Sequence, residues 1–162
     1  MAKSEAILSG FLLVFLASGP SDAGQSVSGA SRPIVAIPQF SISGPPAAEP
    51  AGQIRQRLRE RLSQLKPYTL SDASDVTSDI NTNLAPDFSG WKSHRVKFLL
   101  SAGIDFLNDG RLRLNARLWD ITGRRQIDGQ TFILQPADWQ RAANELADDV
   151  ISDLTRADAA PQ

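Results

Sequence analysis

Histidine occurs once in the 162 residues, at His94, and cysteine does not occur at all. A hydrolytic triad needs an imidazole held between a nucleophile and a carboxylate. His94 instead has Lys92, Arg95 and Lys97 as its neighbours, and the chain contains no Gly-x-Ser-x-Gly elbow. A partly exposed histidine at a helix end is the better reading, and a small-ligand or hydrolase-type domain using His94 stands as the alternative. One imidazole rules out a site that needs two. Without cysteine there is no disulfide scaffold, zinc ribbon, iron–sulfur site, thiol nucleophile or cysteine-linked lipid anchor.

Two charged groups remain to be weighed. Asp149 and Asp153 lie four apart, with Asp148 beside them. Hard cations draw their oxygens from loops that converge, so a single helix row of acids reads as a solvated face. Arg55, Arg57, Arg59 and Arg61 alternate with Gln and Leu and include Glu60 between them. Such a run could meet an anionic partner, but charges at this spacing also decorate ordinary exposed helix faces. Neither phosphate-binding glycine fingerprint is present. The chain is expected to be non-enzymatic, with no cofactor and no metal.

These residues sit in a chain of ordinary composition, 41% hydrophobic and 22% charged, with a formal net charge of -1. That suits one soluble domain and offers no whole-chain attraction to nucleic acid. Residues 33–40 read as a buried strand bounded by prolines. Ile54, Leu58, Leu62 and Leu65 then mark one face of a helix over about 49–66, stopped at Lys66-Pro67. Residues 68–70 make a short returning strand, and a parallel pairing would make the crossover right-handed. Residues 71–90 read as weak helix and loop, with Val76, Ile80 and Leu84 at helical spacing, and 91–95 as a short helix.

Strict alternation follows. Phe98, Leu100, Ala102, Ile104 and Phe106 share one face, as do Leu112, Leu114, Ala116 and Leu118 after Asn108-Asp109-Gly110. A two-residue loop would join opposite faces. A three-residue loop pairs Phe106 with Leu112, Ile104 with Leu114 and Leu100 with Leu118, which predicts a type I turn with Gly110 left-handed in a bulge. A third strand, about 126–134, has an ambiguous register, because Ile127 and Ile133 have one parity and Phe132 and Leu134 the other. A last helix starts near Pro136 and Asp138 and carries Trp139, Ala143, Leu146, Val150, Ile151 and Leu154 on its apolar stripe, with 157–162 as a frayed tail. The expected fold is an α/β (α+β) two-layer sandwich: a mixed sheet of about five strands, with an antiparallel meander, packed on two main helices.

The opposite face of the meander carries Leu99, Leu107, Trp119 and Ile121. Unless the segment 71–95 covers them, they form an exposed apolar patch of the kind that binds another protein. They are the candidate partner-binding surface.

The first 23 residues have the layout of a secretory signal peptide: a short leader with Lys3, an apolar run over 6–19, Pro20, and small residues before a cleavage point after Ala23. Fourteen helical residues rise about 21 Å, short of a hydrocarbon core of about 30 Å. Cleavage would remove Lys3, Glu5 and Asp22 and leave a mature chain of zero net charge. Residues 24–31 are then a flexible lead-in and 32–156 the domain. The expected compartment is the periplasm, with no membrane span after cleavage.

Read in order, Arg32-Pro33-Ile34-Val35-Ala36-Ile37-Pro38, Trp91-Lys92, Asp109-Gly110-Arg111-Leu112, Arg117-Leu118-Trp119-Asp120, Gly129-Gln130, Trp139-Gln140-Arg141, Ala147-Asp148 and Leu154-Thr155 resemble the N-terminal domain of the TolB family. The resemblance spans roughly 32–155. It implies a non-enzymatic periplasmic interaction module of the Tol-Pal system, which serves envelope integrity and protein import. In that family the N-terminal domain and adjoining N-terminus contact TolA, and a C-terminal propeller binds Pal. In these 162 residues no propeller is expected, the lead-in lacks the apolar alternation of the family's extra β-like segment, and Asn144 stands where the family has a histidine. The implied partners are TolA-like proteins, or a separately encoded propeller or Pal-type protein.

Overall fold

The computed structural model describes residues 31–74 and 81–159. The expected signal peptide, residues 24–30 of the expected lead-in, Val76, Ile80 and the last three residues lie outside the described residues.

Strand β1 (Ile34–Ala36), helix α1 (Ala48–Ser63) and strand β3 (Thr69–Ser71) form the expected crossover, with β1 and β3 parallel and Val35 opposite Leu70. The expected strand over 33–40 is shorter than its apolar run. Proline has no N–H to give a ladder, and the strand breaks at Pro38. The chain resumes pairing as β2 (Ser41–Ser43). Both pieces run parallel along strand β4 (Val96–Phe106), Ala36 opposite Leu99 and Ile42 opposite Ile104. The sheet therefore has six strands, in the order β3-β1-β4-β5-β6 with β2 also beside β4.

Strand β5 (Leu112–Asp120) pairs with β4 in the predicted register, Phe106 with Leu112, Ile104 with Leu114 and Leu100 with Leu118. Leu107 N–H donates to the Arg111 carbonyl at 2.8 Å, Gly110 N–H donates to the Leu107 carbonyl at 3.0 Å, and Gly110 has φ +84°. That is the three-residue turn with its left-handed glycine. The ambiguity in β6 (Arg125–Leu134) is resolved by a bulge. Leu118 faces Asp128 while the next residue, Trp119, faces Gln126, so Ile127 is the extra residue. One extra residue reverses the parity of a strand. Ile127 thereby joins Phe132 and Leu134 on the main core, and Ile133 is left exposed.

Helices α1 and α3 (Trp139–Ala159) cover one face of the sheet. Ile54, Leu58 and Leu62 meet Ala143, Leu146, Val150 and Leu154 over the even-numbered residues of β4 and β5. Helix α3 runs further than the sequence suggests. Ala157 packs on the core and Asp158 pairs with Lys97 at 2.6 Å, so residues 157–159 continue the helix where a tail is expected. The short helix α2 (Phe88–Ser93), capped by Asp87 accepting from Ser89 N–H at 3.1 Å, lies on the opposite face of the sheet. The architecture is the mixed α+β sandwich that the alternation predicts, with a thin second cover. Among the described residues, no helix is long and apolar enough to cross a membrane.

Candidate functional site

The four residues of the expected binding surface do not form an exposed patch. Leu99 and Ile121 are 0% exposed and Trp119 is 7% exposed. Only Leu107 is half-buried, at the hairpin turn. The cover comes from α2 and the loop after β3. Trp91, itself fully buried, packs with Ala36, Ala73, Val96, Leu99, Trp119 and Ile121 into a second apolar cluster. Phe88 meets Trp119 edge to face at 6.0 Å, and Trp119 Nε1 donates to Ser101 Oγ at 3.1 Å. Burial of one large ring removes this face from water more completely than weak helix in a polar segment suggests. The signal for it was Trp91 itself, the largest apolar residue in that segment.

His94 lies at the C-terminal end of α2 and is exposed. Its backbone N–H donates to the Trp91 carbonyl at 3.2 Å. Every ion pair among the described residues joins Arg or Lys to a carboxylate, and none reaches His94.

The arginine run is used by the scaffold. Arg55 Nε donates to the Pro38 carbonyl at 2.9 Å and Nη2 to the Ile37 carbonyl at 3.0 Å, taking up the two acceptors left where β1 breaks. Burial holds this guanidinium below the ordinary arginine value, with Arg59 adding to the effect and Asp72 opposing it. Arg57 Nε donates to Asn144 Oδ1 at 3.2 Å, and Arg61 pairs with Asp148, so both tie α1 to α3. The acids of α3 are likewise structural. Asp153 is buried and pairs with Arg156 at 2.8 Å. Desolvation pushes its carboxyl above the usual range, Asp128 and Asp149 push it the same way, and Arg156 opposes them. No group of three His, Cys, Asp or Glu among the described residues is placed to hold a metal ion.

What the fold exposes instead lies at the end of the sheet where β4 finishes. All three residues of β2 are exposed, and β2 has β4 on one side and no described strand on the other. Ile42 is 49% exposed and Phe106 38% exposed. They share a face, since Ile42 pairs with Ile104, two residues before Phe106. Gly44, at φ +91°, brings its backbone against Phe106, where an added Cβ would sit 3.0 Å from Phe106 Cβ. Leu107 follows directly. A strand edge with no partner strand among the described residues, beside two apolar side chains, is the geometry that accepts another strand.

The model of the TolB amino-terminal domain family matches residues 26–127. Among solved structures, TolB from Acinetobacter baumannii superposes with a TM-score of 0.61 at 15% identity, over 76% of this chain. The match covers 28% of that TolB chain, so this chain spans little more than a quarter of its length. The PelC dodecamer from Paraburkholderia phytofirmans matches at TM-score 0.45 and 11% identity, over 76% of this chain and 86% of that one. The LpoB C-terminal domain from Salmonella enterica matches at 0.38 and 13%, over 64% and 83%.

Proposed function

Because the chain belongs to the TolB amino-terminal domain family, we propose that it is an exported, non-enzymatic module that binds other proteins of the cell envelope as a component or accessory of the Tol-Pal system. Residues 1–23 direct it to the periplasm and are removed after Ala23. Its partner is a TolA-like protein, or a separately encoded propeller or Pal-type protein. The single observation that carries the reading is the open edge of β2 with Ile42 and Phe106 beside it. A partner strand laid along Ser41–Ser43 would occupy the side of β2 on which no described strand lies and cover both side chains. No observation favours a catalytic role for His94.

The test is a crosslinking pull-down from envelope extract, read by mass spectrometry, with wild type and Ile42→Asp side by side. Ile42 is exposed, so the variant is expected to keep native far-UV circular dichroism. Recovery of TolA, Pal or a propeller protein by the wild type, and its loss in Ile42→Asp, is the expected result. Recovery of none of them would reject the Tol-Pal reading. Equal recovery by the variant would reject the β2 edge as the docking surface.

A further inference from the structure

The other end of the sheet, where β4 and β6 begin and α3 finishes, has a different character. A cleft of about 420 Å³ opens there, lined by Ser31, Pro33, Lys92, Arg95, Val96, Lys97, Thr122 and Asp158. Three cations face one carboxylate, and that carboxylate is already engaged by Lys97 at 2.6 Å. Among the described residues, Lys92 and Arg95 make no ion pair, and neither do the exposed Arg32 and Arg124 nearby in the chain at the same end.

The backbone adds an independent observation. Arg95 has φ +60° and Arg124 φ +52°, and each immediately precedes a strand at this end. Glycine adopts that conformation freely, whereas a side chain there is strained. Arg95 follows the end of α2, the position where glycine is the usual choice. At both places the chain carries a guanidinium where the least strained residue would carry nothing.

We propose that this cleft binds a phosphate group, through Lys92 and Arg95, with Lys97, Ser31 and Thr122 completing its donors. Two cations in excess of the carboxylate match the charge of a phosphate monoester, about -1.5 to -2 near neutral pH. A lone carboxylate would leave one cation uncompensated. Arginine offers paired N–H donors to phosphate oxygens, lysine a compact charge, and the two hydroxyls take further oxygens. The phosphate is presented either by a small soluble anion or by a lipid headgroup at the membrane surface, and both present the same oxygens to the same donors.

Calorimetry of the purified protein with inorganic phosphate, and co-sedimentation with phosphatidic acid or phosphatidylcholine vesicles, test this directly. Binding of inorganic phosphate supports the cleft with a soluble ligand. Binding only to phosphatidic acid vesicles supports it with a headgroup. In either case affinity falls with added salt, and Arg95→Gly and Lys92→Gln each weaken it by about tenfold, the loss expected for one charge-assisted hydrogen bond. Arg95→Gly is also expected to melt no lower than wild type, because glycine relieves the positive φ. Binding to neither probe, equal binding of acetate, or binding unchanged in both variants would overturn the proposal.

Discussion

The two faces of the sheet differ in how they are buried. One is covered by α1 and α3, whose apolar stripes meet the even-numbered residues of β4 and β5 in a single large cluster. The other is covered by Trp91 on the six-residue α2, by Phe88 and by Ala73 from a loop, and Trp91 and Ala73 are themselves two of the seven buried residues of its cluster. The strands treat the faces alike: Leu100 and Leu118 point one way, Leu99 and Trp119 the other, and all four are buried. Strand alternation thus reports that a face is apolar and is silent on what covers it. Long helices announce themselves by repetition. A cover made of one tryptophan has no period to read.

Leu99→Asp breaks this comparison most severely. A carboxylate placed at a fully buried position must be ionised without a partner or protonated at a penalty. The variant is expected to lose its native near-UV and far-UV spectra, whereas Leu107→Asp, half-buried at the hairpin just past the far end of β4, keeps them. Native spectra for Leu99→Asp would return that face to the surface and revive it as a docking site. Trp91→Ala is expected to cost about 3–5 kcal/mol, in the range for removing a large buried aromatic side chain, measured by urea denaturation. Its effect should be uneven. Hydrogen exchange is expected to rise first at Ala36, Val96 and Ile121 in the small cluster, with α1 and α3 protected to higher denaturant. Uniform exchange across both faces would mean that the two clusters unfold as one.

The same contrast explains how far the sequence could be read. The β4–β5 register was legible from the residues, because alternation and Asn108-Asp109-Gly110 admit only one pairing that keeps both faces. The β6 register was not, because a bulge at Ile127 joins two runs of opposite parity, and each run is self-consistent. Pro38 was visible as a boundary of the first strand. What could not be read was that the chain resumes the same edge as β2, since a three-residue strand of Ser-Ile-Ser has no pattern of its own. At the charged positions residue types were legible and their partners were not. Arg55 reads like Arg57 and Arg61, yet only Arg55 reaches a broken strand, and that depends on where Pro38 lies in space. His94 lies exposed at the end of a short helix, where its sequence context put it. The open edge and the basic cleft escaped notice because each assembles residues from separate elements: Ile42 with Phe106, and Lys92 with Thr122 and Ser31.

The smallest expected effect concerns Asp153, the buried acid that the described residues place on the well-covered face. Asp153 belongs to α3 and packs beside Leu100, Leu118 and Val150, facing Asp128 and Asp149, with Arg156 as its ion-pair partner. Its carboxyl is held above the usual range chiefly by desolvation, so the folded protein binds its proton more tightly than the unfolded chain does. The sign follows from linkage. Between the unfolded value and the raised folded one, the native state carries more protons, and stability falls as pH rises through that window. At neutral pH the ionised group is a net burden that the exposed Arg156 only partly offsets. Asp153→Asn removes the charge while keeping the shape, and is expected to melt slightly above wild type at pH 7. The advantage should shrink as pH is lowered toward the ordinary carboxylate range, where wild-type Asp153 is itself neutral. A variant that melts below wild type at pH 7 would mean that the pair with Arg156 outweighs burial. The well-covered face would then hold its acid by attraction, and its difference from the thin face would be electrostatic as well as apolar.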